Sequence, residues 1–123
     1  MALANGSLAW WNAGHLDPIL VSAGSARSLD GGGAVLGVFP EWRYEEEKLD
    51  LKNGDRFLLV TDGITEASDA SQVEFGEERV ANLAERLHLA SAEEMNQSLL
   101  NEVDRLCGAR FEDDATVVLI AAR

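Results

Sequence analysis

Apolar residues follow two different periods along the chain and divide it into a strand-rich first part and a helical second part. Up to about residue 61, short apolar runs are separated by turn signals, a pattern typical of antiparallel strands. From about residue 76 the apolar positions recur at helical spacing, and the chain closes on the β-prone run Thr116–Ile120. Strands followed by helices and one returning strand predict an α+β fold built on a mainly antiparallel sheet.

The first part of the chain predicts a hairpin close to its start. The β-prone run Ser7–Trp11 follows the turn signal Asn5-Gly6, and a loop containing Gly14 separates it from the run Ile19–Val21. Two short runs joined by a glycine-containing loop favour an antiparallel hairpin. Within the first run, Trp10 and Trp11 are interpreted as a pair that packs in the core.

A second hairpin is predicted around Asn53-Gly54. This dipeptide is the strongest short hairpin signal, because its two residues adopt the positive φ angles that the tightest turns require. It separates Trp42–Leu51, which alternates partially, from the apolar run Arg56–Thr61. We therefore expect these two runs to pair with each other.

Two adjacent helices are predicted after the strands. The second of them is predicted to begin at Ser91, because Ser91 and Glu94 have the spacing of a capping box. It is predicted to end at Gly108, since glycine commonly follows the last residue of a helix. The first helix is indicated by an apolar stripe at positions i, i+3, i+4 and i+7, formed by Val80, Leu83, Ala84 and Leu87. The buried face of the second is expected to comprise Met95, Leu99, Val103 and Leu106.

Charge and composition exclude several classes of partner. The chain has 123 residues and a formal net charge of −12, which disfavours both a nucleic-acid backbone and an anionic membrane surface. No run approaches the roughly 20 apolar residues of a membrane span, and no basic region precedes an apolar one at the start. A single cysteine, Cys107, forms no disulfide within the chain. We expect a cytoplasmic protein with neither nucleic acid nor membrane as partner.

Acidic residues flank two of the apolar runs and are the strongest candidates for chemistry. Asp62 follows the run Phe57–Val60, and Asp113 and Asp114 precede the run that begins near Thr116. If these strands are antiparallel neighbours, the acids meet at one sheet edge, where Mg²⁺ or Mn²⁺ would offset their repulsion. Gly63 would allow the backbone or a ligand to approach closely. The simpler alternative is an ordinary Asp-Gly turn beside an ordinary acidic loop.

Five stretches of the sequence, taken in order, resemble a known family. They are WNAGHLDPILV, LGVFP, NGDRFLLVTDGITEASD, FGEERV and DDATVVLIAAR, and they extend from Trp11 to Arg123. Together they resemble the C-terminal half of bacterial PPM-type serine/threonine protein phosphatases of the SpoIIE-like branch. The resemblance implies part of a four-layer α-β-β-α sandwich, with mainly antiparallel strands and two adjacent helices.

The resemblance also implies a chemistry and its residues. The complete domain would hold two Mn²⁺ or Mg²⁺ ions, and a metal-bound water, with no catalytic side chain, would hydrolyse phosphoserine or phosphothreonine. Asp62 and Asp113 match the metal-binding positions, and Gly63 and Asp114 are supporting positions. The implied substrate is a phosphorylated bacterial regulator, of the kind represented by anti-anti-sigma-factor-like proteins.

One part of the family pattern is missing from residues 1–123. The family's Gly-Asp-x-Ser-Gly-His-Gly stretch, whose aspartate bridges both metals, does not occur here. The chain is therefore expected to be the C-terminal portion of the domain, with weak or absent metal binding, little activity alone, and a tendency to form a homodimer. A non-catalytic interaction module of phosphatase ancestry is the alternative. A receiver-like phosphoacceptor using Asp62 is disfavoured, because strands here precede the helices.

Overall fold

The computed structural model describes residues 2–31, 33, 35–108 and 114–123, which form two antiparallel sheets and three helices. The strands are β1 (Ala2–Ala4), β2 (Ser7–Trp10), β3 (Ile19–Ser22), β4 (Ser25–Ser28), β5 (Glu47–Asp50), β6 (Arg56–Val60) and β7 (Val117–Ala121). The helices are α1 (Asp62–Thr65), α2 (Gly76–Arg86) and α3 (Ala92–Cys107). The predicted α+β class, with antiparallel strands and two adjacent long helices, is confirmed.

The two sheets pack face to face around a shared apolar core. A three-stranded sheet has the order β1-β2-β5, and a four-stranded sheet has the order β4-β3-β6-β7. Trp10 of the first sheet meets Phe57 of the second in an edge-to-face contact, with ring centroids 5.3 Å apart. Leu8, Leu20 and Leu29 are buried around this contact.

Strand β6 supplies side chains to both faces of the four-stranded sheet. Its side chains alternate, so Phe57 and Leu59 face the other sheet while Leu58 and Val60 face the helices. β3 pairs with one edge of β6 and β7 with the other, both antiparallel. The four-stranded sheet is thus the middle of three layers, and β6 lies at its centre.

The long helices form the third layer, on one face of the four-stranded sheet. Residues of the predicted stripes, among them Val80, Leu83, Met95, Leu99 and Val103, are buried there. The capping box at the start of α3 is present, and the helix ends at Gly108 with φ 61°. Both helix predictions are confirmed. Within the described residues, no helix has the length and apolarity needed to cross a membrane.

The hairpin predicted at Asn53-Gly54 is wrong. β5 pairs with β2 in one sheet, and β6 lies in the other, so the turn carries the chain between sheets. Only Gly54 has a positive φ, whereas the expected two-residue turn needs it at both positions. Both edges of β6 are already occupied, and Gly54 donates its N–H to the carbonyl of Ala122 after β7, at 3.0 Å.

The hairpin predicted between Ser7–Trp11 and Ile19–Val21 is also wrong, because these runs lie in different sheets. The tight hairpins join β1 to β2 and β3 to β4. Their turns, at Asn5-Gly6 and Ala23-Gly24, have positive φ at both residues. The prediction that Trp10 and Trp11 both pack in the core is correct only for Trp10. Trp10 is buried, whereas Trp11 points to the other side of the strand and is 47% exposed.

Candidate metal centre

The end of β6 and the start of β7 meet at one edge of the four-stranded sheet, so the two strands are the antiparallel neighbours on which the metal hypothesis depends. The two strands are antiparallel, and their last aligned pair is Val60 with Val117. Beyond this pair the backbone N–H of Thr61 donates to the carbonyl of Thr116, at 3.1 Å. The residues that follow Thr61 and those that precede Thr116 therefore lie side by side.

The Thr61 side chain joins the two chain segments. Its hydroxyl donates to the carbonyl of Asp114 at 3.1 Å and accepts the backbone N–H of Thr116 at 3.0 Å. Thr61 is also the N-cap residue of α1, but its side chain makes no capping hydrogen bond to that helix. The hydroxyl thus fixes the strand ends rather than the helix. No role for Thr61 is evident from the sequence alone, although its position between the strand and Asp-Gly is a usable signal.

Asp62 is the first residue of α1 and is exposed. Ile64 of the same helix is fully buried in the core and anchors the helix there. Its single turn is closed by the N–H of Glu66, which donates to the carbonyl of Asp62 at 2.8 Å. The backbone of Asp62 is therefore fixed while its carboxylate remains accessible to water and to a hydrated cation.

Gly63 is required by the close approach of the segment before β7. A Cβ at this position would overlap the carbonyl oxygen of Asp114 and lie 2.7 Å from its carbonyl carbon and 3.1 Å from the N of Ala115. The φ of Gly63 is not positive, so the requirement is one of space and not of backbone conformation. Gly63 thus allows the Asp62 and Asp114 segments to come into direct backbone contact.

The described residues supply only part of a metal site. Asp113 lies outside the described residues, so its predicted role as a ligand stays a prediction. Asp114 is described, is exposed, and contributes its carbonyl to the Thr61 hydroxyl. Within the ranges given above, no group of three or more His, Cys, Asp or Glu residues is arranged to hold a metal. Carboxylate and carbonyl oxygens are ligands that suit Mn²⁺ or Mg²⁺, and Asp62 is the candidate ligand that the structure describes.

Asn12 organises a second loop that the sequence analysis did not single out. Its buried side chain accepts the N–H of His15 at 2.8 Å and donates to the His15 carbonyl at 3.0 Å. A Cβ on Gly14 would lie 2.6 Å from a methyl carbon of Val35. The Asn-Ala-Gly-His loop therefore packs tightly against the chain just before LGVFP, and His15 is a turn residue.

Comparison with known proteins identifies the family. The family model for Stage II sporulation protein E (SpoIIE) matches residues 1–123. The chain belongs to the SpoIIE family. The resemblance found in the sequence is thereby confirmed, and this SpoIIE-family chain is homologous to PP2C-type serine/threonine phosphatase domains.

Several individual proteins are similar to this SpoIIE-family chain. Protein IcfG of Synechocystis is 27% identical over 125 residues, which cover 96% of this chain and 19% of IcfG. The phosphatase domain of SpoIIE from Bacillus subtilis, in a Mn-presoaked form, is 22% identical with a TM-score of 0.73, covering 94% of this chain and 50% of that one. The RsbU and RsbW domains of Rv1364c from Mycobacterium tuberculosis are 26% identical, with a TM-score of 0.76 and coverages of 93% and 32%.

These coverages show that the chain spans about a fifth of IcfG and about half of the solved SpoIIE phosphatase domain. The shared fold is thus part of a PP2C domain.

Replacing Gly63 by Ala should separate the end of β6 from the start of β7. The added methyl cannot fit against the Asp114 carbonyl, so we expect a loss of about 1–3 kcal/mol in the free energy of unfolding. Hydrogen exchange should become faster at the β7 amides of Val118 and Ile120. Glu66→Ala, at an exposed position of the same turn, is the control and should leave these amides unchanged. Unchanged protection in Gly63→Ala would contradict the packing described here.

Proposed function

We propose that this chain is the C-terminal portion of a metal-dependent protein serine/threonine phosphatase domain. In it, Asp62 and Asp113 would hold Mn²⁺ or Mg²⁺, with Gly63 and Asp114 in supporting positions. The observation that carries the proposal is the pairing of β6 with β7, since it aligns the strand end that bears Asp62 with the segment that leads into β7. Family membership supports the same assignment.

The residues at this edge have defined tasks in such a reaction. Asp62 offers carboxylate oxygens on a fixed backbone, Thr61 fixes the position of the Asp114 segment, and Gly63 keeps both segments in contact. A bound divalent cation lowers the pKa of water and offsets negative charge on phosphoryl oxygens. The exposed position of Asp62 leaves room for a phosphorylated side chain of a protein substrate to approach.

Family membership supports a substrate class and a setting. We propose a phosphoserine or phosphothreonine on a bacterial regulatory protein in the cytoplasm, such as an anti-anti-sigma-factor-like protein. The similarity to a chain that carries RsbU and RsbW domains supports a regulatory setting. Self-association into a homodimer stays a prediction. The alternative is a non-catalytic interaction module, for which no response to divalent cations is expected.

Mn²⁺ should raise the melting temperature of the 123-residue chain. A ligand that binds only the folded state, at ten times its dissociation constant, stabilises by about 1.4 kcal/mol, which corresponds to several degrees. Asp62→Asn and Asp113→Asn should each reduce this rise, because each removes a carboxylate. Without metal, each variant should melt at the same temperature or higher, because the repulsion between the acids is relieved. Differential scanning calorimetry measures both effects.

Asp104→Asn is the matched control for the metal experiment. Asp104 is exposed on α3, so the same chemical change there should leave the Mn²⁺ response intact. An equal Mn²⁺ response in wild type, Asp62→Asn and Asp104→Asn would contradict the proposed site. An absence of any response would contradict Mn²⁺ binding at this edge by the 123-residue chain.

The 123-residue chain alone should hydrolyse p-nitrophenyl phosphate little or not at all. Two aspartates rarely fix a pair of metal ions, and the family's bridging aspartate is not among residues 1–123. Phosphate release is measured with Mn²⁺ present. Metal-dependent turnover that disappears in Asp62→Asn would show that the chain holds a complete site and would contradict this expectation.

A further inference from the structure

A groove between α2 and α3 concentrates positive charge on an otherwise acidic molecule. Arg79 and Arg86 lie on α2, and Arg105 lies opposite them on α3. These are three of the ten Lys and Arg residues in a chain whose net charge is −12. All three are exposed, and the groove encloses about 480 Å³. None of the groove residues belongs to the candidate metal centre.

Arg79 and Arg86 of α2 form no ion pair in the part of the chain that the structure describes. The Arg79 guanidinium instead lies over the ring of Phe75, 5.8 Å from its centroid, which orients it while leaving its donors available. Two guanidinium groups in one groove are therefore available for carboxylates, which Arg binds in a bidentate manner.

Glu102 is the single acid that lines the groove, and it is engaged by Arg105. The two side chains form a hydrogen-bonded ion pair at 2.8 Å. The hydrogen bond from Arg105, with its charge, lowers the pKa of Glu102, and the charge of Arg86 adds a smaller contribution in the same direction. Glu102 therefore offsets one of the three positive charges and leaves the groove with a net charge of +2.

The shape and lining of the groove fit an extended acidic peptide better than a single anion. Arg79 and Arg86 are seven residues apart on one helix, roughly 10 Å at 1.5 Å per residue. Arginine side chains are long enough to converge on one phosphate across that distance, so the apolar part of the lining, and not the spacing, favours a peptide over an inorganic anion. Alternate side chains of an extended peptide repeat every ~6.6 Å on one face, so two or three carboxylates cover this span. Leu83 and Leu106 contribute apolar surface between the charges.

We propose that the groove between α2 and α3 is a docking site for an acidic, partly apolar segment of a protein partner. Charge complementarity favours this partner, since the chain outside the groove carries a net negative charge that repels such a segment. Nucleic acid is disfavoured by the same net charge. The docked segment would pair its carboxylates with Arg79 and Arg86 and lay the methylene groups of the same side chains against Leu83 and Leu106, which line the groove.

Peptide binding to the full 123-residue chain tests this assignment. The probe is a fluorescein-labelled eight-residue peptide of repeating Glu-Leu, followed by fluorescence anisotropy, with a repeating Ser-Leu peptide to isolate the apolar contribution. The Glu-Leu peptide should bind, and its affinity should fall as salt rises. Arg79→Gln/Arg86→Gln should weaken it at least tenfold. The control pair Arg43→Gln/Arg123→Gln has the same net charge outside the groove and should change it less than twofold.

Two further variants make the outcome independent of folding defects. Arg86→Gln alone retains the Arg79–Phe75 contact and should still weaken the Glu-Leu peptide at least threefold. Glu102→Gln should strengthen peptide binding severalfold, because it releases Arg105 from its ion pair. A general loss of structure would weaken peptide binding and not strengthen it. The proposal is overturned if the Glu-Leu peptide does not bind. It also fails if both arginine pairs weaken binding equally, or if inorganic phosphate displaces the peptide where chloride at equal ionic strength does not.

Discussion

Strand β6 is hydrogen-bonded on both edges and packed on both faces, and the rest of the structure depends on these contacts. Its pairing with β3 and β7 builds the four-stranded sheet. Phe57 anchors the interface between the sheets, and Leu58 anchors the interface with the helices. Because the strand is so constrained, the residue that follows it is placed accurately. That residue is Thr61, and Asp62 comes next at the sheet edge.

The edge that bears Asp62 is built by backbone contacts and not by the acids themselves. The Thr61 hydroxyl holds the segment before β7, and Gly63 removes the side chain that would keep that segment away. Carboxylates that are brought together repel each other, so an edge that bears acids must be stabilised by other contacts. Here it comes from the ladder between β6 and β7 and from the buried Ile64. The contacts that stabilise this edge are therefore different from the acidic side chains that a cation would bind, as a cation site at a sheet edge requires.

Sequence signals within a few residues predicted the helix ends, whose geometry is local. They failed for the strands, whose partners lie far away along the chain. The capping box of Ser91 and Glu94 and the stop at Gly108 are local, and both were predicted. The pairing of β6 with β7 was only a condition of the metal hypothesis, because no local signal in the sequence specifies it. Asn53-Gly54 misled, because its flanking strands find better partners in two different sheets.

The candidate site was predictable in its chemistry but not in its construction. The position of Asp62 after a buried strand was evident, whereas the hydroxyl of Thr61 and the crowding at Gly63 arise only when two distant segments meet. The turn at Ala23-Gly24 was missed for a related reason. Alanine gives no turn signal, and its positive φ is imposed by the pairing of Ser22 with Ser25. The arginine groove likewise requires the packing of α2 on α3 before it exists.

Paramagnetic broadening by Mn²⁺ in nuclear magnetic resonance spectra tests the central claim most directly. With Mn²⁺ added well below the protein concentration, the amide signals of Gly63 and Thr116 should broaden first. The signal of Gly54, at the other end of β6, should remain sharp, and Asp62→Asn should abolish the broadening at Gly63. Broadening that begins at the acidic run Glu45–Glu47, with Gly63 unaffected, would contradict a cation site at the β6–β7 edge.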